Sequence, residues 1–237
     1  MRKTLIVLAA ALILSLLSAS FAGAEMSVKD VNLSDYFTSR DLAGEWEENE
    51  AHEITLTESL TIDEAGTYLL SGEIPEGTLT IDVSKDDKVQ LVLKGVSIHC
   101  STFACIYVKS ADKVFITLAE GTENTLVSDG FSDGETDAAV FSKDDIVFNG
   151  EGKLTITSAG HGIAGNDDVK FCGGEYVIQA KARGITAKDS IRISDGSFTI
   201  SSCDTPIRAR NKKNAEKGYV LILGGSFYLH TQGENGD

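Results

Sequence analysis

Residues 139 to 205 read AVFSKDDIVFNGEGKLTITSAGH (139–161), GIAGNDDVKFCGGEYVIQAKAR (162–183) and GITAKDSIRISDGSFTISSCDT (184–205), one pattern stated three times. The copies align with steps of 23 and 22 residues, which marks an internal repeat. Each copy carries three short apolar runs. One lies at Ile163 and Ile185, a second at Ile146–Phe148, Val169–Phe171 and Ile191–Ile193, and a third at Leu154–Ile156, Tyr176–Ile178 and Phe198–Ile200. All alternate with period two, and the gaps between them hold Gly, Asn, Asp and Ser in stretches too short for a helix. Three strands joined by tight turns cannot bury their own apolar face, so each copy must stack on the next with parallel strands in register. The expectation is an all-β chain forming a right-handed parallel β-helix, a solenoid with about 22–25 residues per coil.

Outward from that stretch the pattern continues in both directions. TLTIDVSKDDKVQLVLKGVSIH (78–99) and CIYVKSADKVFITLAEGTENTLV (105–127) are earlier copies, and strands begin near Glu53. Val89, Val114, Ile146, Val169 and Ile191 then share one core position, with the longest step locating a polar loop at 128–136. Past Thr205 the pattern resumes at Ile207, is interrupted by NKKNAEKG (211–218), and returns as VLILGGSFYLH (220–230). The chain stops at GENGD where a further coil is expected, so the β-helix over 51–237 is read as lacking more C-terminal coils.

The N-terminus is of another kind. Arg2 and Lys3, an apolar run from Leu5 to Leu17 and the small-residue site Ala22-Gly23-Ala24 read as a signal peptide over 1–24. Residues 25–50, acidic and with Tyr36, Phe37 and Trp46 as their large apolar groups, are expected to cap the first coil. The run is too short to span a bilayer comfortably and no other candidate follows, so a secreted, monomeric protein without membrane insertion is expected. The chain has 36 acidic against 21 basic residues, a net charge of −15, and loss of Arg2 and Lys3 makes it more acidic still. That balance argues against nucleic acid as a partner. Among four cysteines, Cys100 and Cys105 are close enough in sequence for a local bridge or could stay reduced, whereas Cys172 and Cys203 fall in different columns.

Residues in register form columns. Asp87, Asp112, Asp144, Asp167 and Asp189 make one, and like charges a coil apart need compensation. Two accounts stand: closure of turns by each carboxylate, with Lys88, Lys113, Lys143 and Lys188 supplying positive charge, or a Ca²⁺ site using Asp144, Asp145, Asp167, Asp168 and Asp189. Two outward columns pass from aromatic to basic, Tyr107-Phe141-Ala164-Thr186-Arg208 and Gln90-Phe115-Val147-Lys170-Arg192. Exposed rings suit sugar faces and cations suit uronate carboxylates, so Tyr107, Phe115, Phe141, Lys170, Arg192 and Arg208 are the candidate polysaccharide-binding residues. The rings could instead be covered by the 128–136 loop. No enzyme motif is found: His52, His99, His161 and His230 share no metal-ligand spacing.

Together KSADKVFITLAEGTENTL (109–126), AAVFSKDDIVFNGEGKLTIT (138–157) and HGIAGNDDVKFCGGEYVI (161–178) resemble the bacterial carbohydrate-binding β-helix family related to the clostridial cellulose- and polygalacturonate-binding, polysaccharide-lyase-like proteins, over about Tyr36 to His230. The resemblance implies a secreted, non-catalytic β-helix that binds cellulose or polygalacturonate and holds calcium. It departs at CDTPIRARNKK (203–213), where the family reads GDGIK followed by acidic or amide residues. A pectate-type lyase and a structural or adhesive surface protein are the alternatives.

Overall fold

The computed structural model describes residues 31–202 and 204–231. The leader expected over 1–24, the first part of the segment expected to cap the fold, Cys203 and residues 232–237 lie outside the described residues. Every described strand is parallel to its neighbours, in two sheets. The larger contains β1 (His52–Leu56), β3 (Gly66–Ile74), β5 (Lys88–Cys100), β7 (Lys113–Leu118), β8 (Glu123–Ser128), β10 (Asp145–Gly150), β11 (Lys153–Ser158), β13 (Asp168–Ala180), β15 (Ser190–Ser202), β17 (Tyr219–Ile222) and β18 (Ser226–Thr231). The smaller contains β2 (Leu60–Ile62), β4 (Leu79–Asp82), β6 (Ile106–Ser110), β9 (Ala138–Ser142), β12 (His161–Gly165), β14 (Ile185–Ala187) and β16 (Ile207–Ala209).

The expected right-handed parallel β-helix is corrected by the pairing. Where the sequence suggests two strands parted by a tight turn, β5, β13 and β15 are each one strand of 13 residues. β5 pairs with β7 through its first half and with β8 through its last four residues. β13 likewise pairs first with β10 and then with β11. Hydrogen bonding therefore runs β5-β7-β10-β13-β11-β8 and back to β5, a closed six-stranded parallel barrel, with the seven-stranded sheet beside it. Glycine makes the continuity possible. β13 shifts register between Phe171 and Glu175, and Gly174 there takes φ of 87°, a conformation that costs other residues dearly.

The repeat register itself matches the pairing. Val89 pairs with Val114, Val114 with Ile146, Ile146 with Val169 and Val169 with Ile191, and all five are fully buried. Phe148 stacks on Phe171 at 4.9 Å and Tyr176 on Phe198 at 5.0 Å. The buried Tyr176 hydroxyl donates to Gly173 O at 2.8 Å, which satisfies a polar atom that would otherwise be stranded in the core.

The N-terminal segment lies along the outer face of the larger sheet rather than across an end. Its helix α1 (Ser39–Ala43) begins with a capping box, in which Asp41 N–H donates to Thr38 Oγ1 and Thr38 N–H to Asp41 Oδ2. Gly44 ends it at φ 60°, where a Cβ would come within 3.0 Å of Gly150 N. Farther along, Trp46 packs on Leu69, Val92 and Ala119.

Candidate functional site

The two outward columns have different surroundings. The column Gln90-Phe115-Val147-Lys170-Arg192 is the one the N-terminal segment covers. Lys170 is buried and its Nζ donates to Asp41 Oδ2 at 2.8 Å, with Lys113 Nζ 3.4 Å from the other carboxylate oxygen. Phe115 is buried beneath the Arg40 guanidinium, 4.6 Å from its ring centre. Gln90 donates to Glu45 O and to Thr117 Oγ1, and Thr117 passes the chain on to Asn149, whose amide donates to Asp41 O. Arg192 is held by Asp168, by the Tyr219 hydroxyl and by Tyr36 O. These groups serve the attachment of the segment, and in this structure Phe115 and Lys170 do not meet solvent.

The column Tyr107-Phe141-Ala164-Thr186-Arg208 forms the outer face of the seven-stranded sheet, paired in register through β6, β9, β12, β14 and β16. Here the 128–136 loop packs close. Two adjoining hollows of about 370 Å³ and 300 Å³ lie between the sheet and this loop, with Glu135, Phe141, Asn166 and Lys188 lining both. Tyr107 remains partly exposed, with Phe103 edge-on at 5.2 Å and Lys143 Nζ 5.6 Å over its ring, whereas Phe141 is 8% exposed. The walls carry Lys143, Arg183, Lys188, Arg208, Arg210 and Lys212. Three of these follow from the repeat: Lys143, Lys188 and Arg210 stand at one repeat position just after their strands, and Asn166 holds the fourth place.

His161 sits at the floor. Its Nδ1 accepts the Arg183 backbone N–H at 2.9 Å, and its Nε2 lies 3.3 Å from Arg183 Nη1 and 3.5 Å from Asp137 Oδ2. Burial pushes the ring's pKa below the usual histidine range; Asp137 opposes the shift and the Arg183 charge adds to it. Arg183 reaches Asp204 at 2.7 Å, and its Nε is buried with no hydrogen-bond partner among the described residues.

The aspartate row is largely engaged from within. Asp144 takes Lys85 and the Ala111 N–H, Asp112 takes Lys88, and Asp189 takes Lys217 and Asn211. Asp168 accepts from Ser190 and Arg192, and Asp145 accepts the Asp168 N–H at 3.2 Å. Burial, then the neighbouring Asp189 and Asp144, push the Asp167 carboxyl above the usual range. Among the described residues no three His, Cys, Asp or Glu side chains gather in a group that could hold a metal ion. Asp112, Asp144, Asp168 and Asp189 thus each already hold a lysine, arginine or asparagine partner.

Cys100 and Cys105 are free, buried thiols, and burial pushes the Cys105 thiol up to about 12. Sequence reasoning picked Tyr107, Phe141 and Arg208 from the groove and missed Arg183, His161, Arg210 and Lys212. Lys143 and Lys188 were visible only as partners for aspartates; their shared place in the repeat was the available signal. No helix of the described residues is long and apolar enough to cross a membrane.

A curated carbohydrate-binding domain-containing protein of Acetivibrio thermocellus is 40% identical over 178 residues, covering 72% of this chain, which spans 62% of that relative's length. A solved structure described as a polysaccharide lyase-like protein from C. thermocellum, in a gadolinium derivative, superposes with a TM-score of 0.71 at 30% identity, covering 76% of this chain and 81% of its own. The family profile described as carbohydrate-binding domain-containing protein matches residues 57–236, most of the chain. The chain belongs to this family of carbohydrate-binding domain-containing proteins.

Proposed function

We propose that this chain is a secreted, monomeric, non-catalytic protein that binds an acidic polysaccharide of the polygalacturonate type in the groove on the outer face of the seven-stranded sheet. The observation that carries it is charge placement. In a chain of net charge −15, six Lys and Arg side chains surround one groove, against three acidic residues of its walls, Asp133, Glu135 and Asp137. An anionic chain is repelled by the protein at large and needs such a local patch, where Arg can grip a carboxylate through two N–H groups. The partly exposed Tyr107 ring at the end of the groove offers a face for a sugar ring. Export rests on the leader expected over 1–24. Cellulose is the weaker candidate for this groove, because Phe141 is largely covered.

Affinity electrophoresis in gels containing polygalacturonate tests the reading. Lys188→Ala with Arg208→Ala should run much less retarded than the wild type, whereas Arg192→Ala should keep its retardation while losing stability. Retardation equal to wild type in the double variant refutes the groove. A lyase reading is favoured only by the lyase-like description of the structural relative. Unsaturated, ultraviolet-absorbing products from polygalacturonate would replace the non-catalytic reading with it.

A further inference from the structure

A second groove lies apart from the one that His161 and Arg183 line. It holds about 360 Å³ where β8, β11, β13 and β15 end. Parallel pairing brings Ser128, Ser158, Ala180 and Ser202 into one row there, with Thr157, Gln179 and Ser201 in the row beside it. The row of small residues leaves the space, and the neighbouring row rims it with hydroxyl and amide groups.

Ser202 separates this groove from ordinary surface relief. It is 2% exposed, and its Oγ has no hydrogen-bond partner among the described residues. Its counterparts are satisfied: Ser128 Oγ donates to Phe103 O at 2.8 Å, and Ser158 Oγ accepts the Gly160 N–H at 3.1 Å. Buried hydroxyls without partners are rare because losing water without replacement is costly. Gln179 and Thr157 are exposed, and their side chains make no hydrogen bond among the described residues. Charge is balanced, unlike in the basic groove. Asp129 is paired with His99 at 2.8 Å, and Lys181 is the cation of the lining.

We infer that this groove is a second carbohydrate subsite, which takes the hydroxyl edge of an uncharged sugar residue. Sugar hydroxyls both donate and accept, as the Ser, Thr and Gln groups here do, and Ser202 is among the residues that line the groove. Balanced charge gives an anionic residue no advantage there. The inference rests on the carbohydrate-binding family and not on the basic groove, so either can fail alone.

Titration calorimetry with cellotetraose as the neutral probe and trigalacturonate as the acidic one separates the two. Gln179→Ala, at an exposed position, removes one pair of hydrogen-bonding groups; Ser202→Val fills the space and removes the hydroxyl. Each should weaken cellotetraose binding about tenfold, the scale of one net hydrogen bond to a ligand, and leave trigalacturonate unchanged. No cellotetraose binding by the wild type, unchanged affinity in Gln179→Ala, or equal loss of both probes overturns the subsite. Should Ser202→Val fail to fold, Gln179→Ala decides alone.

Discussion

Replacing Asp41 with alanine removes a fully covered carboxylate that faces Lys170 at 2.8 Å and Lys113 at 3.4 Å. What remains is a Lys170 ammonium with 6% of its side chain exposed and, among the described residues, no other carboxylate paired with it. Breaking a buried ion pair from one side costs about 3–5 kcal/mol, and the capping box at Thr38 goes with it. For a domain of this size each kcal/mol moves the melting temperature by about 2–4 °C, so a fall of roughly 6–20 °C is expected if the segment stays docked. It has a cheaper exit, which is to peel away and let Lys170 reach water. The chain's single tryptophan, Trp46, sits in that segment and reports on it. In Asp41→Ala its emission should shift to longer wavelength at lower urea than the far-ultraviolet circular dichroism changes; in the wild type the two transitions should lie closer together. Asp41→Leu combined with Lys170→Met should recover much of the loss, because an apolar pair of similar size needs no countercharge. Acid should mimic the variant. Burial pushes the Asp41 carboxyl up, but the Lys170 hydrogen bond, the Thr38 N–H and the two lysine charges outweigh it and hold it below the usual range. A depressed folded pKa means the stabilisation is complete above about pH 4 and is lost as pH falls through the folded value. Coincident transitions at the wild-type midpoint in Asp41→Ala, or no coupling in the double variant, refute the docking role of this pair.

Other outcomes follow from the same geometry. Trigalacturonate affinity should rise about threefold as pH falls through the His161 value, which burial holds below the usual histidine range, and calorimetry on His161→Gln should show a flatter profile. Asp167→Asn should raise the melting temperature by about 1–2 °C at pH 7 and not at pH 3. A carboxyl with a raised folded pKa costs stability while ionised, and that cost vanishes as pH falls below the unfolded value. Val169→Asp, which puts a carboxylate into the fully buried row, should cost more than about 4 kcal/mol and abolish cooperative melting followed by circular dichroism.

The period-two runs were legible because alternation decides which side chains a strand buries, and the repeat step decides which residues pair. Val89 through Ile191 needed nothing else. Whether two runs make two strands or one was not legible. Cys172-Gly173-Gly174-Glu175 reads as a turn, and whether it breaks the ladder or bends it depends on glycine conformations and on partners elsewhere in the chain, such as Gly150 and Gly196. That local ambiguity became the global difference between an open β-helix and a closed circuit of strands. The outward faces were harder for a related reason. Alternation marks Lys170 and Phe115 as pointing away from the core, and they do, but pointing away from the core is not the same as meeting water. What covers them is Asp41 and Arg40, separated from them in sequence by 129 residues in the case of the Lys170 pair. An aspartate in a short helix and a lysine in a distant strand carry no local sign of each other. The turn cations show the opposite case. Lys143, Lys188 and Arg210 share a repeat position and so had to share a face, and they line the groove and stay exposed, with the 128–136 loop beside them but not burying them as the N-terminal segment buries Lys170.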